Sequence, residues 1–153
     1  MAEVKIDDER LIHAPVSAVW HAIKDPQAHA RWHPYIVRIT GEHRLGEVRT
    51  CKVMIDHRPG ATSERCIQLD EEWRITWVVE DDSTGFSHKV TDWRTGFNLE
   101  LREGGTLVTA HSTFRPSNAL VWLMSPLIGR RFHHAQRTIL KRLQSFIELE
   151  KGR

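Results

Sequence analysis

Hydrophobic residues change their spacing twice along this chain, and the two changes divide it into three parts. Val4 to Ile12 reads as a first strand, closed by the turn-prone His13-Ala14-Pro15. Val16, Val19, Trp20 and Ile23 then recur at helical spacing and give one apolar face, with Pro15 suited to the first turn. Asp25-Pro26 stops that helix, because the residue before proline avoids helical dihedrals. Gln27 to Trp32 is expected to form a second short helix, ended by Pro34.

From Tyr35 the period becomes two. Strands are expected over Tyr35 to Gly41, Val48 to Asp56 and Ala61 to Asp70, with Pro59-Gly60 as the turn between the last two. Trp73, Ile75, Trp77 and Val79 alternate with Arg74, Thr76 and Glu80, the clearest half-buried strand in the chain. One long extended run is expected from Phe86 to Arg102, in which Trp93, Phe97, Leu99 and Leu101 share a parity and Gly96 marks a bulge. Glu103-Gly104-Gly105 makes the next turn. Thr106 to Arg115 closes the sheet with Val108, Ala110, Ser112 and Phe114 on one face.

After Pro116 the period returns to that of a helix. Phe132, Ala135, Ile139, Leu143 and Phe146 form a long apolar stripe, with the basic residues mostly elsewhere. Ser117 to Leu127 is more apolar and reads as a separate short helix or flap, jointed at Pro126 or Gly129. The order is strand, two helices, six strands, long helix. Hairpins in series make an antiparallel sheet, and its apolar face must be covered. The C-terminal helix is the one element long enough to do so. The fold class is therefore α+β: a seven-stranded curved antiparallel sheet wrapped around a long C-terminal helix, the helix-grip arrangement, in one domain spanning residues 1–153.

Composition narrows the function classes. The 153 residues suit a single core. A net charge of +2 is too small to imply nucleic-acid binding, although residues 116–153 carry seven Lys/Arg against two Asp/Glu. That basic tail reads first as a solvated helix surface and second as a face for an acidic partner or membrane. No run approaches the roughly 20 apolar residues of a membrane span, and the polar start does not read as a signal peptide. A cytoplasmic location is the default expectation. Cys51 and Cys66 are expected to be buried thiols rather than a disulfide framework. The sequence is compatible with a monomer or a homodimer.

Three segments together resemble a known family. Ile12-His13-Ala14-Pro15-Val16-Ser17-Ala18-Val19-Trp20 is similar to the opening of the START/polyketide-cyclase (SRPBCC) superfamily, which includes the birch pollen allergen. Ala30-Arg31-Trp32-His33-Pro34-Tyr35 resembles the same superfamily, and Gly104-Gly105-Thr106 with the strand ending Phe114-Arg115-Pro116 is similar to its cyclase/dehydratase-like branch. The resemblance runs in order along essentially the whole chain. It implies a cavity between sheet and long helix that holds a hydrophobic or amphipathic small molecule, lipid-, sterol- or polyketide-like. It also implies the alternative of a cyclase/dehydratase-type enzyme working in that cavity. The family supplies no universal catalytic residue, so the fold alone does not select a reaction.

The ligand-binding candidates are Trp32, His33, Tyr35, Trp77, Trp93, Ser112, Phe114, Trp122 and Phe132. The aromatic members offer large rigid apolar surface, Ser112 and Tyr35 a group to orient a polar atom, and Trp122 a place on the flap. Simple packing is the competing reading for the six tryptophans. As acid–base candidates, His33, His88, Asp92 and His111 are weighed; strand parity turns His88, Asp92 and His111 outward, leaving His33 best placed. His29 and His33 stand four residues apart, but neither HExxH nor a zinc-spaced Cys/His cluster is present. No metal or cofactor is expected, and most of the ten histidines are expected at the surface.

Overall fold

The computed structural model describes residues 2–151. Its elements are β1 (Val4–Ile12), α1 (Val16–Lys24), α2 (Pro26–Trp32), β2 (Ile36–Thr40), β3 (Val48–Ile55), β4 (Arg58–Asp70), β5 (Arg74–Asp82), a single 3-10 turn (Phe86–His88), β6 (Val90–Arg102), β7 (Gly105–Pro116) and α3 (Ala119–Lys151). The strands form one seven-stranded antiparallel sheet in the order β1-β7-β6-β5-β4-β3-β2, curved around α3. The expected α+β helix-grip arrangement is the one observed.

Period-two patterning sets which side chains enter the grip. Along β7, Thr106, Val108, Ala110, Ser112 and Phe114 are buried while their neighbours are partly or fully exposed. Along β5 the inward set is Ile75, Trp77 and Val79. Trp73, just before β5, is 55% exposed and lies against the Arg74 guanidinium 3.9 Å from its ring. The C-terminal half of α3 answers with Leu140, Leu143 and Ile147, which pack with α1 and the middle of the sheet. Its N-terminal half supplies Val121, Ile128 and Phe132 to a second cluster with Ile6, Val90 and Phe114.

Four local expectations are corrected. The β3–β4 turn is Asp56-His57, both at positive φ (50° and 64°), between the paired Ile55 and Arg58. Two left-handed residues give a turn whose twist matches the flanking strands. Pro59 and Gly60 lie within β4, ahead of Thr62, where pairing with β5 begins, so the missing Pro59 N–H breaks no bond to β5. The run from Phe86 is not one strand: Phe86–His88 forms a 3-10 turn before β6 starts. The bulge in β6 is not at Gly96. It lies at Asp92-Trp93, between the Thr91↔Arg115 and Arg94↔Thr113 pairs, with Asp92 at φ 51°. Gly96 instead permits a close approach, since a Cβ there would stand 2.1 Å from the Ile75 carbonyl oxygen.

The fourth correction concerns the flap. Ser117 to Leu127 is not a separate helix, because α3 runs unbroken through Pro126 and Gly129. Asn118 caps its start, its Oδ1 accepting from the Val121 N–H at 3.0 Å. Pro126 has no N–H for the Trp122 carbonyl; the Ser125 hydroxyl donates to that carbonyl instead, at 2.6 Å.

Candidate functional site

The candidate residues fall at two ends of the grip. At one end, Trp93, Phe114 and Phe132 meet with Phe86. Phe86 stands 4.9 Å from Trp93, 5.4 Å from Phe114 and 5.4 Å from Phe132, ring centre to ring centre. Trp93 and Phe114 lie 6.1 and 5.6 Å from Phe132. These tilted and edge-on contacts suit the ring quadrupole. The Asp92-Trp93 bulge makes the cluster possible. It shifts the strand's parity by one residue, so that Val90 before it and Phe97 and Leu99 after it are all buried.

Above this cluster lies an apolar groove of about 570 Å³ between the Phe86–His88 turn and the N-terminal half of α3. Val121, Met124, Leu127, Ile128 and Phe132 form its helix wall, with Phe86 opposite and Lys89 and Arg131 also in the lining. The volume falls in the range of about 300–1,000 Å³ usual for small-molecule sites. A second, more polar recess of about 540 Å³ lies at the other end, beside α1 and α2, lined by Trp20, Lys24, His43 and Glu71 among others. The middle of the grip holds the packed cluster of Phe97, Leu99, Val108, Ala110, Leu140 and Leu143. Ser112 sits at the boundary and its hydroxyl is engaged, donating to Gln136 Oε1 at 2.8 Å. The Gln136 amide in turn donates to Asp8 Oδ2 at 2.9 Å, which ties α3 to β1. Trp122 lies on the other flank of α3, 43% exposed and outside the groove lining.

At the opposite end, Trp32, His33, Tyr35 and Trp77 come together around His29, which the sequence places four residues from His33, and His43, which no local pattern points to. His29 and His43 are 1% and 2% exposed. Most of the ten histidines do lie at or near the surface, and His29 and His43 are the two that are buried. His29 stacks on His33 at 5.4 Å, and His43 meets His29 at 5.5 Å and Trp77 at 5.0 Å. Beneath them Arg49 and Glu64, also buried, form an ion pair of 2.7 Å. Thr62 donates to the second Glu64 oxygen at 2.7 Å, and the Arg49 guanidinium lies 3.7 Å from the Trp77 ring centre. Charge, hydrogen bond and aromatic face together offset the cost of burying this pair. Arg49, Cys51 and Val53 are the inward parity of β3, and Thr62, Glu64 and Cys66 that of β4.

The partners fix the tautomers. Arg49 Nη1 can only donate, so His43 Nε2, 3.0 Å away, is an acceptor. His33 Nδ1 accepts from the Tyr35 and Ile36 N–H groups, both at 3.1 Å. His29 Nδ1 donates to the Ile23 carbonyl at 2.8 Å, leaving Nε2 an unprotonated acceptor. Burial, with the Arg49 charge adding to it, lowers His33 and His43 to about 3 and holds His29 well below its ordinary value. All three are neutral near pH 7. His29 Nε2 and Trp77 Nε1 have no hydrogen-bond partner among the described residues.

The remaining acid–base candidates face away from the interior. His88 and Asp92 are exposed, Asp92 pairing with Arg94 at 2.8 Å. His111 lies partly exposed on the convex face beside Gly96, and burial lowers its pKa. Cys51 is pushed up to about 11 by burial, so both free thiols are poor nucleophiles. Among the described residues no group of three or more His, Cys, Asp or Glu side chains could hold a metal ion, and no helix is long and apolar enough to cross a membrane.

Comparison with known proteins follows the same lines. No curated protein sequence matches the chain. Among solved structures, it is similar to the major latex-like protein 151 of Panax ginseng, with 15% identity, a TM-score of 0.73, and coverage of 94% of this chain and 96% of that one. Protein CV1439 of Chromobacterium violaceum gives 20%, 0.74, 94% and 96%. Ara h 8.0201 gives 15%, 0.71, 95% and 98%. At these identities the likeness shows the fold. The profile of the family "Polyketide cyclase / dehydrase and lipid transport" matches residues 3–148. The chain therefore belongs to that family, within the START/polyketide-cyclase (SRPBCC) superfamily that its sequence resembles.

Proposed function

We propose that this protein binds a hydrophobic or amphipathic small molecule, lipid-, sterol- or polyketide-like, in the groove between the Phe86–His88 turn and α3. The observation that carries the reading is an apolar groove of about 570 Å³ lined by Phe86 and Phe132, the two rings of the aromatic cluster that reach it. Lys89 and Arg131 in the lining suit a ligand with an apolar body and a polar or acidic end. The family description, which covers both cyclases and lipid transport, agrees with a ligand of this class.

The alternative is a cyclase- or dehydratase-type enzyme acting in the same groove. Such chemistry needs an acid or base beside the substrate. His88 and Asp92 are exposed, and His33 lies in the other cluster with its Nδ1 engaged by two backbone N–H groups. Binding without catalysis is the better-supported reading. Two buried free thiols fit a protein of the reducing cytoplasm.

Titration with a fluorescent long-chain fatty acid tests the site. Wild type should bind it saturably, and Met124→Glu should weaken binding by about tenfold or more by placing a charge on the groove wall. Met124 is 45% exposed, so its replacement leaves the core intact. Equal affinity in wild type and variant would overturn this placement of the ligand.

A further inference from the structure

We infer that the N-terminal half of α3 is a docking face for an anionic lipid surface, from which the groove is filled or emptied. The inference rests on the ligand-binding reading of the groove. Leu120, Leu123 and Leu127 recur at positions i, i+3 and i+7 and are 68%, 75% and 55% exposed. Met124, 45% exposed, lies beside them. The same stripe continues into Arg130, Arg131 and His134, all exposed. Large aliphatic side chains in water at this density are not needed for the core, which the adjacent face of the helix already serves through Val121, Ile128 and Phe132.

Charge selects the occupant. From Ala119 to Ile147 the helix has no Asp or Glu, while Arg130 and Arg131 follow the apolar stripe and Lys89 stands in the groove lining with Arg131. Apolar residues at the front with cations behind them match an interface of acyl chains under acidic headgroups. The stripe is also the crest of the groove: Leu120, Met124 and Leu127 line it while being exposed. A lipid-like molecule leaving the surface would pass along these side chains into the groove without crossing water.

The test uses the full chain and two variants outside the groove lining, Leu123→Glu and Arg130→Glu, whose folding is checked by thermal melting. Co-sedimentation is measured with vesicles of phosphatidylglycerol and phosphatidylcholine, and with phosphatidylcholine alone. Binding should favour the anionic vesicles, fall as salt is raised, and drop by about tenfold in each variant. Titration of the fluorescent fatty acid without vesicles should be unchanged in both. Absence of vesicle binding while the fatty acid still binds would overturn the docking face alone. Vesicle binding retained without fatty-acid binding would leave the docking face standing and overturn the groove assignment. Binding indifferent to Leu123→Glu, or a dimer that Leu123→Glu dissociates, would also overturn the inference, the latter by showing a second copy on this face.

Discussion

His29, His33 and His43 differ from an ordinary histidine because of what surrounds them. Each is neutral, and each has one ring nitrogen committed to a partner that dictates its tautomer. Stability should therefore depend on pH. In the unfolded chain these rings take up protons near 6.5, whereas His33 and His43 in the folded protein resist protonation down to about 3. Across that interval the unfolded state binds more protons, so stability is lost as pH falls, by at most about 1.4 kcal/mol per pH unit for each histidine held neutral. Denaturant unfolding at pH 7 and pH 4.5 should show this loss, and His43→Gln should flatten it. A profile unchanged by His43→Gln would contradict the account. None of this was read from the sequence, although part of it was available there. Arg49 shares the parity of Cys51 and Val53, and Glu64 that of Thr62 and Cys66, so an inward charge pair was implied by alternation. The histidines were harder to find, since no local pattern shows that His43, in the loop before β3, turns beneath α2 to meet His29.

At the scale of elements, the strands and helices were legible because burial repeats at two or 3.6 residues. The departures come where a single residue overrides the pattern. Asp56 and His57 take left-handed dihedrals and move a turn that Pro59-Gly60 suggests. The Asp92-Trp93 bulge reverses parity within β6 and brings Trp93 over Phe86. Pro126 reads as a breaker, yet α3 continues, because Ser125 satisfies the carbonyl that the proline leaves. Pro126 is exposed and fills no core, so its place in α3 is one of helix shape beside the groove. Replacing it restores a backbone hydrogen bond at little loss of contact. Pro126→Ala should raise stability by roughly 1–2 kcal/mol in denaturant unfolding, the helix gain being partly offset by a more flexible unfolded chain. A loss of stability would show that the proline is required by packing instead.

For the whole molecule, a curved sheet gripping one helix leaves the two halves of that helix with different tasks. The C-terminal half packs into the main core through Leu140, Leu143 and Ile147, and the N-terminal half bounds an apolar groove lined by Phe86 and Phe132. The grip itself followed from element order. The position of the open space did not, because it depends on how far side chains from both layers fill the middle, which periodicity does not encode. Of the predicted lining, Phe132 borders the groove and Trp93 and Phe114 pack behind it in the aromatic cluster, whereas Trp32, His33, Tyr35 and Trp77 build the histidine cluster at the other end. Native mass spectrometry of freshly purified protein tests the central claim most directly. Wild type is predicted to carry a retained lipid-like mass that is absent or strongly reduced in Met124→Glu. A wild-type protein that holds no such mass, and takes none up when incubated with fatty acid, would contradict it.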